Sequence, residues 1–244
     1  MNRRTALVTG SAVRIGKAIA LKMASEGIDV LIHARTHSPE AETAVNAVRS
    51  MGVHSELALH DLRDSEGVGG WFEELYHRTG GIDILVNSAC SYPEGRYDTL
   101  CASTLNEAMA EQLLSPLAMM RVMKHKIHPG TVVNILDSRI ADRNSAHAAY
   151  HLAKRSLFTL TRDLAMEYAP SIRVNAVAPG IILPPKAHGE EWLERMASTN
   201  PLNTHGRPED VAEAVFYLVQ APFVTGQIIY IDGGRHLKGC AYGH

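Results

Sequence analysis

Cysteine is scarce: the 244 residues hold three, Cys90, Cys101 and Cys240, an odd number without metal-ligand spacing. That pattern speaks against a disulfide framework or a cysteine-ligated zinc site, and reduced cytoplasmic thiols are the simplest reading. Long apolar runs are also missing, and none approaches membrane-spanning length. Met1-Asn2-Arg3-Arg4 leads straight into a strand-like Thr5-Ala6-Leu7-Val8 with no apolar signal core. Nor is there an excess of one charge. The formal net charge is −2 and the pI near 6.7, so no global basic field attracts nucleic acid. Thirteen histidines make the real charge more pH-sensitive than that balance implies. What is present, 45% hydrophobic and 20% charged residues, supports a large core in a soluble, cytoplasmic protein.

Short β-branched runs alternate with longer helical patterns. Strands are expected at Ala6–Thr9, Val30–His33, Ser55–Ala58, Ile84–Val86, Thr131–Ile135, Arg173–Val177 and Ile228–Ile231. Several are apolar throughout, as parallel strands covered on both faces must be. Helices are expected near 15–26, 39–50, 65–78, 103–126, 147–168, 189–197 and 208–219, the last opened by Pro208-Glu209-Asp210. No repeat or linker-like stretch divides the chain. The expectation is an α/β protein: one domain over residues 1–244, a doubly wound, Rossmann-type parallel sheet of about seven strands with helices on both faces. Ligands then belong outside the carboxyl ends of the strands.

The first strand ends in Thr9-Gly10-Ser11-Ala12-Val13-Arg14-Ile15-Gly16 and enters a helix. Such a turn offers backbone N–H groups and the positive end of a helix dipole to a pyrophosphate. The middle glycine of the usual pattern is absent, and Arg14 stands there. Acidic residues are absent from Val30 through Pro39, where an acid would hold a free ribose 2′-hydroxyl. Arg14 and Arg35, with Thr36 or Ser38 adding hydroxyls, suit a 2′-phosphate and favour NADPH over NADH. Asp61-Leu62 and Asn87-Ser88-Ala89 stand at the ends of the third and fourth strands. Asp61 is either an acceptor for an adenine amino group or a cap for a helix starting near Asp64.

Tyr150 and Lys154 lie four apart, on one helical face. An ammonium beside a phenol favours the phenolate and readies it for proton transfer near neutral pH. Asp137, in Asn134-Ile135-Leu136-Asp137-Ser138, lies thirteen residues before that tyrosine.

In one order along nearly the whole chain come Thr9-Gly10 with Gly16, Asp61, Asn87-Ser88-Ala89, Tyr150 with Lys154, Asn175, Pro179-Gly180 and Asp232-Gly233-Gly234. This series resembles the short-chain dehydrogenase/reductase superfamily. The resemblance implies that Tyr150 donates the proton, that Lys154 holds the nicotinamide ribose and lowers the tyrosine pKa, and that Pro179, Gly180 and Ile182 border the nicotinamide. It also implies a tetramer, consistent with the apolar residues on several faces of the two longest helices. Most members carry serine where Asp137 stands. A serine can donate to a carbonyl, whereas an ionised aspartate can only accept and suits a substrate with N–H donors. Ser138, one residue later, is the conventional serine if the register slips.

Asp137, Arg14 and Arg35 together resemble pteridine reductases, and the chain's ending resembles the bacterial dihydromonapterin/dihydrofolate reductase branch. That likeness implies hydride transfer from NADPH to C6 of a dihydropterin and a proton to N5. Tyr92, in Ala89-Cys90-Ser91-Tyr92, would stack on the substrate beside Cys90, and Gln112 would replace the asparagine of a proton relay. The segment near 181–207, with Pro184-Pro185-Lys186 and Trp192, would be the lid. The rival readings are a carbonyl reductase acting on a 3-oxoacyl, sugar or steroid ketone, and a non-catalytic NADP-binding scaffold. His147 and His151, also four apart, have zinc-like spacing but no third ligand, so no metal site is expected. Met119, Met120 and Met123 read as core or interface filler.

Overall fold

A computed structural model describes residues 3–126, 129–141, 146–185 and 188–238. Lys186 and Cys240, singled out above, lie outside them, as do Met1 and Asn2. The chain alternates strand and helix: β1 (Thr5–Val8), α1 (Arg14–Ser25), β2 (Asp29–Ala34), α2 (Pro39–Arg49), β3 (Ser55–Leu59), α3 (Val68–Arg78) and β4 (Ile84–Asn87). The second half runs α4 (Ala102–Met109), α5 (Ser115–His125), β5 (Gly130–Ile135), α6 (Ala148–Glu167), β6 (Ile172–Pro179), α7 (Glu190–Ala197), α8 (Pro208–Gln220) and β7 (Ile228–Ile231). Every expected strand is present. The seven form one parallel sheet in the order β3-β2-β1-β4-β5-β6-β7. Strand order reverses between β1 and β4, which opens a crevice at their carboxyl ends.

Alternation along β1 explains why its whole length is apolar. Ala6 and Val8 pack with Ile19 of α1 and Leu218 of α8 on one face of the sheet. Leu7 packs with Phe72 of α3 and Met123 of α5 on the other. Met119, Met120 and Met123 are buried in that second layer, as core filler. Each aliphatic side chain so buried contributes roughly 1.5–3 kcal/mol, which makes the sheet a rigid platform for the loops at its edge.

The helix expected over 103–126 is interrupted. Ala110–Leu114 form a π turn between α4 and α5, closed by the Ser115 N–H donating to the Ala110 carbonyl. Pro116 in the first turn of α5 supplies the reason. It has no N–H for the carbonyl of Gln112, and its ring would strike that carbonyl in a regular α-helix. Widening the turn by one residue relieves both problems.

Candidate active site

The turn after β1 is built for close approach. Gly10 has φ +65°, and a Cβ there would lie 2.8 Å from the Ala89 Cα. Thr9 ties this turn to the β4 end: its Oγ1 accepts from the N–H groups of Ser88 (2.9 Å) and Ala89 (3.0 Å). A Cβ on Gly16 would strike the Gly10 carbonyl oxygen, leaving no room for a side chain. Arg14 keeps a left-handed backbone, φ +56°, without being glycine, at a cost of roughly 1–2 kcal/mol. Its guanidinium donates to the Pro184 carbonyl at 2.9 Å. Arg14, expected on a 2′-phosphate, spans here from the turn to the 181–207 segment. Ile15, next in the helix, is partly buried against the core.

One residue of this turn's support was not anticipated. The Gly10 N–H donates to Nδ1 of His33 at 3.1 Å, and Nε2 of His33 meets the His60 carbonyl at 3.0 Å. A carbonyl only accepts, so the proton sits on Nε2 and the ring is neutral. Burial holds its pKa down to about 4. A histidine inside a strand carries no sequence signal for this role.

At the end of β2, Arg35 and Thr36 are exposed. Ser38 is taken as the cap of α2, accepting from Ala41 N–H at 3.2 Å. Of the two sequence readings of Asp61, the helix cap is not met. Asp64 closes the turn ahead of α3, its carboxylate accepting from Gly67 N–H at 3.0 Å, and the N-cap itself is Gly67. Asp61 instead grips Arg63 side-on, Nη2 to Oδ2 2.5 Å and Nε to Oδ1 3.0 Å. Hydrogen bonds from Arg63 hold its pKa near 2, with Arg35 adding to the positive field. Leu62 is buried, its carbonyl accepting from the Ser115 hydroxyl at 2.6 Å.

Deeper in the crevice, Asn87 Nδ2 donates to Asn134 Oδ1 (2.7 Å), and Asn134 Nδ2 donates to Thr161 Oγ1 (2.9 Å). Asn87 Oδ1 is left buried and unpartnered. On the far side, the Gly180 N–H donates to the Ile231 carbonyl, and a Cβ on Gly180 would meet the Asp232 backbone at 2.7 Å. Pro179 ends β6 and Ile182 is buried beside it. These residues form a cradle with an unsatisfied acceptor, small residues where a flat ligand must lie, and no acid in the first turn of α1.

The reactive side chains converge from β5 and α6. The Tyr150 hydroxyl donates to Asp137 Oδ2 at 3.0 Å, while Oδ1 accepts from Arg139 N–H at 2.7 Å. It is thus Asp137, not Ser138, that meets the tyrosine. Lys154 is buried, its Nζ 5.6 Å from the Tyr150 ring centre and donating to the Ile135 carbonyl at 2.7 Å. The expectation of a lowered Tyr150 pKa is corrected: burial, followed by the Asp137 charge, raises it well above the usual 10.0. The lysine donates to a carbonyl rather than to the phenol, so burial and the carboxylate prevail.

Tyr92 stands against Tyr150, ring centres 4.6 Å apart and planes at 84°. Cys90, two residues earlier, is exposed with a free thiol. The loop between them is pinned by the π turn: Ser91 N–H donates to Glu111 Oε2 (2.6 Å), and Gln112 Nε2 donates to the Ser91 carbonyl (3.1 Å). Gln112, expected in a proton relay, gives its amide nitrogen to that anchor and leaves Oε1 buried without a hydrogen-bond partner.

A family model described as enoyl-(acyl carrier protein) reductase matches residues 10–236. The chain belongs to the short-chain dehydrogenase/reductase family. Among solved structures of this family, FolM alternative dihydrofolate reductase 1 from Brucella canis, complexed with NADP, is 35% identical. The match covers 99% of this chain and 96% of that one, with a TM-score of 0.89. Dihydromonapterin reductase from Escherichia coli is 27% identical over 95% of this chain and 96% of its own length. The 3-oxoacyl-(acyl-carrier-protein) reductase FabG of Staphylococcus aureus is 30% identical over 96% and 98%. The resemblance read from the motifs is borne out, and the protein is a short-chain oxidoreductase. Among the described residues, no helix is long and apolar enough to cross a membrane.

Proposed function

We propose that the protein is an NADPH-dependent reductase of a 7,8-dihydropterin or of dihydrofolate. The observation that carries this reading is the 3.0 Å bond from Tyr150 to a carboxylate, Asp137, with the Tyr92 ring standing over the same tyrosine. A carboxylate accepts only, so it favours a substrate that brings N–H or NH₂ groups. An aromatic wall favours a flat heterocycle. The likeness to dihydromonapterin reductase and to FolM supports the same class.

When bound, NADPH would supply the hydride taken up at C6. Gly10, Ile15 and Gly16 would admit its pyrophosphate, and Arg35 and Thr36, with Arg14 nearby, would hold the 2′-phosphate. Asp61 and Leu62 border the adenine. Asn87, Ser88 and Ala89 line one side of the nicotinamide half, and Pro179, Gly180 and Ile182 the other. Tyr150, kept as a neutral phenol by burial and by Asp137, retains the proton until the substrate nitrogen N5 accepts it. Lys154 holds the ribose and carries the positive charge that offsets the phenolate left behind. Asp137 orients the amino-pyrimidine and Tyr92 forms the wall, with Cys90 beside it. Gln112 acts by anchoring the Tyr92 loop. Residues 181–207 form the lid, which Arg14 ties to the cofactor turn. The enzyme works as a cytoplasmic homotetramer of single-domain subunits, a reading supported by exposed Met166 and Phe223.

A steady-state panel tests this: dihydropterins, dihydrofolate and a 3-oxoacyl thioester, each with NADPH and NADH. Pterin turnover with NADPH is expected, falling by about 100-fold or more in Asp137→Ser. The likeness to 3-oxoacyl reductases makes ketone reduction the second reading. Thioester turnover without pterin turnover, retained in Asp137→Ser, would replace the first reading by the second.

A further inference from the structure

His147 and His151 stand one turn apart at the start of α6, and neither is used by the chemistry above. His147 stacks on Tyr92 with ring centres 3.7 Å apart and planes at 20°. Its Nδ1 meets the Pro93 carbonyl at 3.0 Å, which puts a proton on that nitrogen. The same stretch is stitched to the Tyr92 loop by backbone: Gly95 N–H donates to Ala146 O, and Ala148 N–H to Gly95 O, both at 2.9 Å. One turn on, His151 packs edge-on against Tyr150, centres 5.0 Å apart at 79°. It is 1% exposed, and neither ring nitrogen has a hydrogen-bond partner.

We propose that His147 is a positioning residue that sets the plane of Tyr92, and so the width of the substrate slot, by stacking on the ring rather than by its bond to Pro93. Three features favour the stack as the working part. Tyr92 is 47% exposed and has no other parallel ring against it among the described residues. The backbone ties already fix the loop at Gly95, so the Pro93 bond adds little restraint there. Those ties and the Glu111 and Gln112 anchors act on Ser91 and Gly95, leaving the Tyr92 side chain to be oriented by what touches its ring. His151 completes the arrangement as a neutral spacer behind Tyr150: burial holds its pKa down to about 4, so it stands as a flat ring rather than as a cation. The histidine pair therefore brackets the two tyrosines of the slot.

This inference rests on Tyr92 being a substrate wall, and the test separates the two ideas. His147→Phe keeps a ring without the Pro93 bond, and His147→Asn keeps a donor without a ring. Stacking predicts that His147→Asn raises KM for a dihydropterin roughly tenfold, as the loss of an aromatic pair warrants, with kcat and the NADPH KM little changed. His147→Phe is expected to stay within about twofold of wild type on the same ground. The reverse order, Asn active and Phe impaired, or equal behaviour of both variants, would overturn the proposal. A second readout needs no substrate. With ring-labelled tyrosine, the Tyr92 resonance should move in His147→Asn far more than in His147→Phe. If wild type reduces ketones only and Tyr92 still follows that order, the pterin reading fails while the positioning role stands. If Tyr92 is indifferent to both changes, the positioning role fails whatever the substrate.

Discussion

The Tyr150 hydroxyl donates to Asp137 and is held as a phenol. Burial and the adjacent carboxylate both oppose the phenolate, so replacing Asp137 by Asn should lower the Tyr150 pKa while leaving a hydrogen-bond partner in place. Tyrosinate absorbance, referenced to Tyr150→Phe, measures that shift; an unchanged or higher value would show that burial alone sets it. At this scale the sequence was partly readable. Asp137, Tyr150 and Lys154 were visible because helix spacing and a fixed offset connect them. Arg63 on Asp61 and His33 under Gly10 were not visible: the first is a local pair with no periodic signal, and the second spans 23 residues. The direction of the Tyr150 shift was misjudged because spacing locates the lysine on a helix face but does not say where its ammonium points.

Single hydroxyls and turns decide how elements meet at the crevice. Thr9 Oγ1 takes two backbone N–H groups from the loop after β4, so Thr9→Val leaves both without that acceptor at nearly constant volume. A loss of about 1–3 kcal/mol is expected, read as a lower midpoint in urea, with weaker NADPH binding in the same variant. An unchanged midpoint would mean that the loop finds other partners. Strands and most helices were legible because apolar runs and helical periods are local properties. The break in the 103–126 helix was not, although Pro116 was in plain view. Proline tolerates a first-turn position as readily as it kinks an interior, so the residue alone does not say whether the helix breaks there or widens into a π turn.

Across the molecule, two buried neutral histidines make stability acid-sensitive. His33 and His151 have folded pKa values of about 4 against 6.5 when unfolded. The unfolded chain binds those protons more tightly, so their contribution is complete above about pH 6.5 and is lost as pH falls toward 4. His33 alone accounts for about 3 kcal/mol. Thermal midpoints measured between pH 7 and 4 should fall more steeply in wild type than in His33→Gln; parallel curves would remove His33 as a cause. The doubly wound sheet was legible as a whole because parallel strands buried on both faces announce themselves. Its cross-molecule ties were not, Arg14 to Pro184 spanning 170 residues. The π turn also meters the chain by count. Ahead of it, Ala108 of α4 packs on Ala149 and Ala153 of α6; beyond it, Met119 and Met123 of α5 fill the core. Deleting any one residue of Ala110–Leu114 would rotate one helix against the other by roughly 100°. The two packings could not then both survive, and Glu111 and Gln112 would swing away from Ser91. A single missing residue here would do what several substitutions could not, costing one of the two packings and unmooring the substrate wall.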